Sequence, residues 1–416
     1  MSRTGGGTAV GAALCALMLV PGPAQAAPAS DGPRGVAAYR LADGAKPVKG
    51  AASSADGPVL AEPGTYTDTI SKGEKKFYKV TLDVKSNAYL SAVLAPPPGS
   101  VTDVLDGIRI SLATMDGTSC SVDDSITFRA VSTRPVAGYV SRTIESDRDC
   151  KQAGDYLFAV EWTGSGSIRA QHWPIELKYM AEPGLKADAP APTAPTYWSS
   201  QAPSPSSTSE PKTVVGGTGF NDAARVDNGA WRDELRPGDS RFYRVPLSWG
   251  QQLFVGAQFA NSAKSGFVSI NGLRVALYNP ARGPVEDETA NYIGDAAAIE
   301  LGTAPAVYAN RKGDGSAAVQ AMCFQGWYYV QVSLDPKVPN SVPVILNLGI
   351  EGKAQAGPAY DGDADAAGFG LGDQGEGNRS LMMRGIGITG IGVGTVLVLG
   401  LGAWAVVGRR RMAEHS

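Results

Sequence analysis

Histidine is almost missing from this chain of 416 residues: there are two, His172 and His415. A Ser-His-Asp or Cys-His triad needs a positioned acid–base partner, and with His415 in an expected cytoplasmic tail only His172 could serve. His172 sits in the stretch Gln171 to Pro174 and reads as a surface turn residue ahead of a strand. Cysteine is scarce as well, with four residues, and no His or Cys group has the spacing of a zinc site. A Gly-x-Ser-x-Gly elbow, a Walker loop and a dinucleotide fingerprint are all lacking. Charge is modest, at 19% of residues with a net value of −3, so no global basic field would draw in nucleic acid. Helical periodicity is lacking too, outside one apolar run near the C-terminus.

What is there begins with the two ends. Arg3 precedes a small-apolar run, Ala9 to Val20, which Pro21, Gly22 and Pro23 break before an Ala-x-Ala site at Ala24–Ala26. Residues 1–26 are thus expected to be a signal peptide, its apolar run being too short to span a bilayer. Cys15 lies inside that run, away from the cleavage edge, which disfavours a lipoprotein. At the other end, residues 385–407 carry no charge over 23 residues, and Arg409, Arg410 and Arg411 follow. A helix of that length covers about 35 Å, enough for the hydrocarbon core of a membrane. The positive-inside rule places the arginines in the cytoplasm, so 408–416 is expected to be a cytoplasmic basic tail and the rest an extracytoplasmic ectodomain. No Leu-Pro-x-Thr-Gly type motif precedes the apolar run to suggest attachment to the wall. The spacing Gly390-x-x-x-Gly394 suits helix-on-helix packing, and it equally suits a lone span.

The ectodomain compares with itself. With a shift of 165, Gly64, Tyr66, Asp68 and Ile70 fall on Gly229, Trp231, Asp233 and Leu235; Gly73, Phe77, Tyr78 and Val80 fall on Gly238, Phe242, Tyr243 and Val245. Tyr89–Ala92 meets Phe254–Ala257, and Gly107–Leu112 meets Gly272–Leu277. At a shift of 172, Gly154, Tyr156 and Val160 meet Gly326, Tyr328 and Val332, and Pro174 to Leu177 finally meets Pro343 to Leu346. Ordered matches with small length changes mark two homologous domains, 54–182 and 215–352. Residues 27–53 are then expected as a disordered lead-in, 183–214 as a Pro/Ser-rich linker and 353–384 as a Gly/Asp-rich stalk.

Within each copy, Lys76–Leu82, Tyr89–Leu94, Ile108–Ala113 and Tyr156–Trp162 alternate large and polar residues between Gly, Pro, Asp and Asn. Period-two patterning with turns every 8–12 residues predicts two tandem antiparallel β-sandwiches of jelly-roll type: an all-β chain with one C-terminal transmembrane helix. In the repeated Gly-x-x-x-Phe-Tyr element the glycine supplies a φ that other residues resist, and Phe and Tyr face opposite sides of the sheet. The motifs Gly238-Asp239, Phe242-Tyr243, Gly250 to Leu253 and Gly326 to Tyr328 resemble those of pre-peptidase C-terminal modules. In the first copy Gly73-Glu74, Phe77-Tyr78 and Gly154 to Tyr156 fit, while Ser86, Asn87 and Ala88 depart from the Gly-Gln step. That resemblance implies a β-sandwich fold in non-catalytic appendages that bind or assist. The richness in Ala, Gly, Pro, Val and Arg suits a high-GC bacterium.

Four groups of residues are candidates for chemistry. An exported protein can keep disulfides, so Cys120–Cys150 is the expected bridge, and Cys323 is left either as a buried thiol or as a link to a partner. Asp123 and Asp124, and Glu286, Asp287 and Glu288, fall in the long inserts 113–153 and 278–325, where hard oxygen ligands would suit calcium. Asp361, Asp363 and Asp365 begin like a calcium loop, but Ala366 and Gly372 stand where an EF-hand needs Gly and Glu. The tryptophans at 162, 173, 231, 249 and 327 fall at core-like positions, and Tyr197-Trp198 in the linker would either dock on a domain or bind a partner. No cofactor is expected, calcium being the one ion these loops would suit. The whole describes a non-catalytic binding or scaffolding protein of a bacterial envelope, single-pass in the cell membrane. Another envelope protein is a better-fitting partner than a glycan. The alternatives are a hydrolase of wall polymer or peptide, and a purely structural spacer.

Overall fold

The computed structural model describes residues 35–128, 133–144, 150–164, 172–189, 193, 195, 197–202, 210–264, 266–312 and 315–372. The expected signal peptide with Cys15, the span 385–407, the tail with Arg409, Arg410 and Arg411, and His415 lie outside the described residues. Among the described residues no helix is long and apolar enough to cross a membrane.

The fold is all-β and sandwich-like. The first half runs β1 (Lys46–Pro47), β2 (Gly64–Ser71), β3 (Lys75–Leu82), β4 (Asn87–Leu94), β5 (Gly107–Thr114), β6 (Asp124–Thr127), β7 (Val136–Arg142), β8 (Gly154–Thr163) and β9 (His172–Glu182). The second runs β10 (Lys212–Thr213), β11 (Ala224–Arg225), β12 (Gly229–Leu235), β13 (Ser240–Leu247), β14 (Gln252–Phe259), β15 (Ser269–Tyr278), β16 (Pro284–Tyr292), β17 (Ala297–Gly302), a 3₁₀ turn (Tyr308–Lys312), α1 (Ala317–Ala321), β18 (Gly326–Leu334) and β19 (Val342–Glu351). In the first half β2-β9-β4-β7 form one sheet and β3-β8-β5-β6 the other, and in the second half the orders are β12-β19-β14-β17 and β13-β18-β15-β16. Adding ten to each label of these orders converts one half into the other.

The correspondence extends to side chains. The Tyr78 hydroxyl donates to Asp68 Oδ2 at 2.8 Å, where the Gly50 N–H also donates at 2.8 Å. The Tyr243 hydroxyl donates to Asp233 Oδ2 at 2.7 Å, joined by the Gly216 N–H at 2.8 Å. Each buried carboxylate thus ties a strand to the strap that precedes it. The turn glycines Gly73 and Gly238 have φ of +78° and +86°, the left-handed region their shared motif requires.

Those straps differ from the expected boundaries. Lys46 of β1 lies beside Tyr66 in a parallel pairing, and Lys212 of β10 lies beside Trp231 in the same way. Within the expected lead-in, residues 46–51 are therefore folded onto the first sandwich, and Tyr39 packs against Phe242 of the second half. The inserts 113–153 and 278–325 are not loops alone either, for they supply β6, β7, β16 and β17, which complete the sheets.

Strand alternation fills two cores. In β4, Ala88, Leu90, Ala92 and Leu94 point inward to join Tyr78, Val80 and Phe158 from the opposing sheet. In the second half Leu253, Val255 and Ala257 meet Tyr243, Val245, Tyr328 and Val330. The other face of β4 is buried as well. Val93 packs with Ala137 against Phe220, Phe242, Tyr278, Trp327 and Tyr329 of the second half. Tyr89 packs with Met180 against Cys323, Phe324 and Phe369. The outer face of sheet β2-β9-β4-β7 is therefore covered by the outer face of sheet β13-β18-β15-β16, and the four sheets stack head to tail.

Two carboxylates of β9 anchor this seam, and neither is exposed to solvent. Glu176 pairs with Arg282 and accepts from Tyr39 Oη at 3.0 Å and from Asn221 Nδ2 at 2.9 Å. Glu182 accepts from Arg311 Nη2 at 3.0 Å, Asn87 Nδ2 at 2.8 Å, Tyr89 Oη at 3.1 Å and Tyr360 Oη at 2.8 Å. Burial pushes the Glu176 carboxyl up, but Arg282, Asn221 and the Ala42 N–H outweigh it, so its pKa lies below the ordinary value. Arg282 reaches this position from a tight turn, at a φ of +65°.

The expected linker and stalk are partly drawn onto the same body. Trp198 packs against the second core. Leu185 bridges Tyr360, the Asp361 N–H donates to the Gly184 carbonyl at 2.7 Å, and Phe369 is 1% exposed. Residues 353–372 thus form a strap across the seam.

Removing one partner of a buried ion pair strands the other. Arg311→Ala should therefore cost about 3–5 kcal/mol of stability. Urea denaturation of the purified protein would read this as a lowered midpoint, whereas substitution of the exposed Arg40 should leave the midpoint within error.

Candidate binding face

The outer face of sheet β12-β19-β14-β17 is the second-half counterpart of the covered face in the first half, and no sheet of the described residues covers it. It carries a groove of about 650 Å³. The ladders fix its side chains in rows. Glu300, Gly256, Asn347 and Ala230 lie side by side, followed by Gly302, Phe254 and Gly349, then Gln252 and Glu351. On the other side lie Ala298, Gln258, Ile345 and Arg232. One wall is the linker segment Ser200–Ala202, held where Gln252 Nε2 donates to the Ser199 carbonyl at 2.9 Å.

The corresponding rows in the first half are Tyr139, Ser91, Lys178; Ser141, Tyr89, Met180; Asn87, Glu182; and Ala137, Val93, Glu176. Three positions of the covered face are thus taken by glycine in the groove: Ser91 by Gly256, Ser141 by Gly302 and the seam residue Met180 by Gly349. Glu351 keeps the position of Glu182. Nothing in the sequence reading pointed to this face, although the matched strands already aligned Tyr89 with Phe254.

The residues expected to carry chemistry lie apart from it. Cys120 and Cys150 form the expected disulfide, with Cα atoms 5.4 Å apart, and join the first core. Cys323 is a free, buried thiol in the seam, where burial pushes its pKa up to about 12. His172 is exposed on β9, its Nδ1 2.8 Å from Ser71 Oγ. Asp124 is a strand residue that accepts the Tyr139 N–H at 2.9 Å. Glu286 and Glu288 project from the face of β16 opposite to Asp287, which pairs with Arg274 at 3.2 Å. Asp363 Oδ1 accepts the Ala366 N–H at 2.9 Å and so closes a turn of the strap. Among the described residues no three His, Cys, Asp or Glu side chains cluster as a metal site would require.

The buried carboxylates outside the seam also have structural partners: Asp106 pairs with Lys72 at 2.7 Å, and Asp239 with Arg241 at 3.0 Å. Trp162, Trp173, Trp249 and Trp327 are buried, the first two with ring centroids 4.2 Å apart. Trp231 is half-buried under the Lys212 ammonium, and Tyr197 is exposed beside the docked Trp198.

No family model matches the chain, and no curated protein matches it. Among solved structures, a tandem CBM22 domain of Paenibacillus barcinonensis Xyn10C is 11% identical, over 71% of this chain and 93% of that one, with a TM-score of 0.19. Tripeptidyl peptidase 2 is 9% identical over 70% of this chain and 24% of its own, with a TM-score of 0.21. The ANX2 ectodomain from Arabidopsis thaliana is 8% identical over 72% of this chain and 86% of its own, with a TM-score of 0.17. Superpositions of that quality carry no argument about fold or function.

Two outcomes follow from the side chains just placed. Burial pushes the Asp124 carboxyl up to about 6, against hydrogen bonds from the Tyr139 and Ser125 N–H groups. A native pKa above the unfolded value of about 4 means that the folded protein holds a proton which the unfolded chain releases. That contribution is complete below about pH 4 and is lost as pH rises through 6. The melting temperature of the wild type should therefore fall relative to Asp124→Asn between those values, as calorimetry across the range would record. Cys323 should stay unreactive toward Ellman's reagent at pH 8 in the folded protein and react fully in guanidinium; fast labelling of the native form would contradict its burial.

Proposed function

We propose that this chain is a membrane-anchored, extracytoplasmic binding or scaffolding protein of a bacterial cell envelope, with two jelly-roll modules of the pre-peptidase C-terminal type and no catalytic site. The observation that carries the reading is the reuse of one sheet face. In the first module it is filled by a protein surface, and in the second the same face is open and grooved. The strand order of each half matches the double Greek key of a jelly roll. Anchoring is supported by the uncharged run 385–407 followed by Arg409–Arg411.

The partner is another envelope protein. A glycan site would offer exposed aromatic plates, whereas the groove floor is glycine and alanine around Phe254, which is 4% exposed. Backbone-lined floors of this kind suit a close-fitting protein element, and its partner face in the first half already accommodates one.

Gly256 offers a clean test. A Cβ there would meet only Asn347, at 3.8 Å and beyond, so the fold tolerates a side chain while the groove does not. A photo-crosslinking amino acid at Gln258 of the full-length chain, activated in intact envelopes, should capture a reproducible protein band. Gly256→Trp in the same background should reduce that capture at least tenfold without lowering the melting temperature. Absence of any protein adduct at Gln258 would leave the chain a spacer.

A further inference from the structure

We infer that the open face of the second sandwich receives an arginine presented by a protein surface, and that Glu351 is the group that holds it. This rests on the docking proposed for that face and narrows it to one contact. Glu182 ends β9 and lies opposite Asn87 of β4, while Glu351 ends β19 and lies opposite Gln252 of β14. Two residues further along the β4 and β14 ladders, Tyr89 donates to Glu182, whereas the Phe254 ring leans over Gly302 of β17. Each sheet therefore presents a carboxylate and an amide at the same ladder positions.

In the first sandwich that arrangement is occupied. Both oxygens of Glu182 accept from the Arg311 guanidinium, whose Cζ lies 3.6 Å from the Tyr308 ring centroid and 5.6 Å from that of Phe324. In the second, Glu351 is exposed, and the Gln252 amide is already oriented by the Ser199 carbonyl. Glu300 lines the same groove, and Arg232 stands three rows away from Glu351, so the field around Glu351 favours a cation. Arginine suits it better than lysine. A planar guanidinium can meet a carboxylate with two parallel N–H bonds, as Arg311 meets Glu182, which an ammonium cannot.

The arm that supplies Arg311 is itself a defined probe. A synthetic peptide of residues 307–312, tagged at its N-terminus with benzophenone, would be irradiated with the full-length protein in detergent, where the first sandwich face is already filled. Label should map by mass spectrometry to residues 252–258 or 345–351. It should drop at least fivefold when citrulline replaces the peptide's arginine and in Glu351→Gln, while Glu351→Asp retains most of it. Label on that face that ignores both changes overturns the assignment, as does label that maps elsewhere. In envelopes, a protein captured at Gln258 to the same extent in Glu351→Gln would sink the arginine contact while leaving the docking intact. A wall glycan adduct, or none, would remove both.

Discussion

Two glutamates on one strand, Glu176 and Glu182, determine how this molecule is put together. Both are removed from water, and a buried carboxylate is tolerated only where cations and hydrogen-bond donors surround it. The second sandwich brings Arg282 and Arg311, the strap brings Tyr360, and the N-terminal segment brings Tyr39. The second sandwich, the strap and the N-terminal segment thus each deliver a donor to those two side chains. The apolar packing around Phe220 and Phe324 adds area to the seam, but the ion pairs fix its register, since a shifted interface would leave four charges unpaired.

Much of this architecture was legible in the residues. The alternation of Lys75–Leu82 and its copy Ser240–Leu247 describes strands with Tyr78 and Tyr243 in the core, and the left-handed glycines stand where the turns need them. The straps were not legible, because strands of two residues such as Lys46–Pro47 and Lys212–Thr213 have no period to detect. The seam has a trace in the residues. All nine residues of β18 and all eight of β4 are buried, and strands apolar on both faces must be covered on both faces. Trp327, expected in the core of its own sandwich, belongs with Tyr329 to the contact between sandwiches.

The open face was harder to find, for a physical reason. A groove is made by what is small, and Gly256, Gly302 and Gly349 are inconspicuous among the 52 glycines of the chain. Only the ladder shows that they surround one ring and replace three larger residues of the sister sheet. The acidic residues of the inserts are conspicuous in the sequence, yet strand pairing uses them: Asp124 to hold β7, and Asp287 to pair with Arg274.

Joining the halves head to tail gives the molecule a polarity. Because unlike faces meet, one plug and one socket remain, at opposite ends of the stack. The plug end, around Lys75, Phe77 and Arg109, keeps Phe77 where its sister has Phe242 but has Asp155 and Leu157 where its sister has Trp327 and Tyr329, whereas the socket end has only been emptied. Such a stack has two unlike ends, so two copies of one strand order yield an asymmetric body in place of a repeating one.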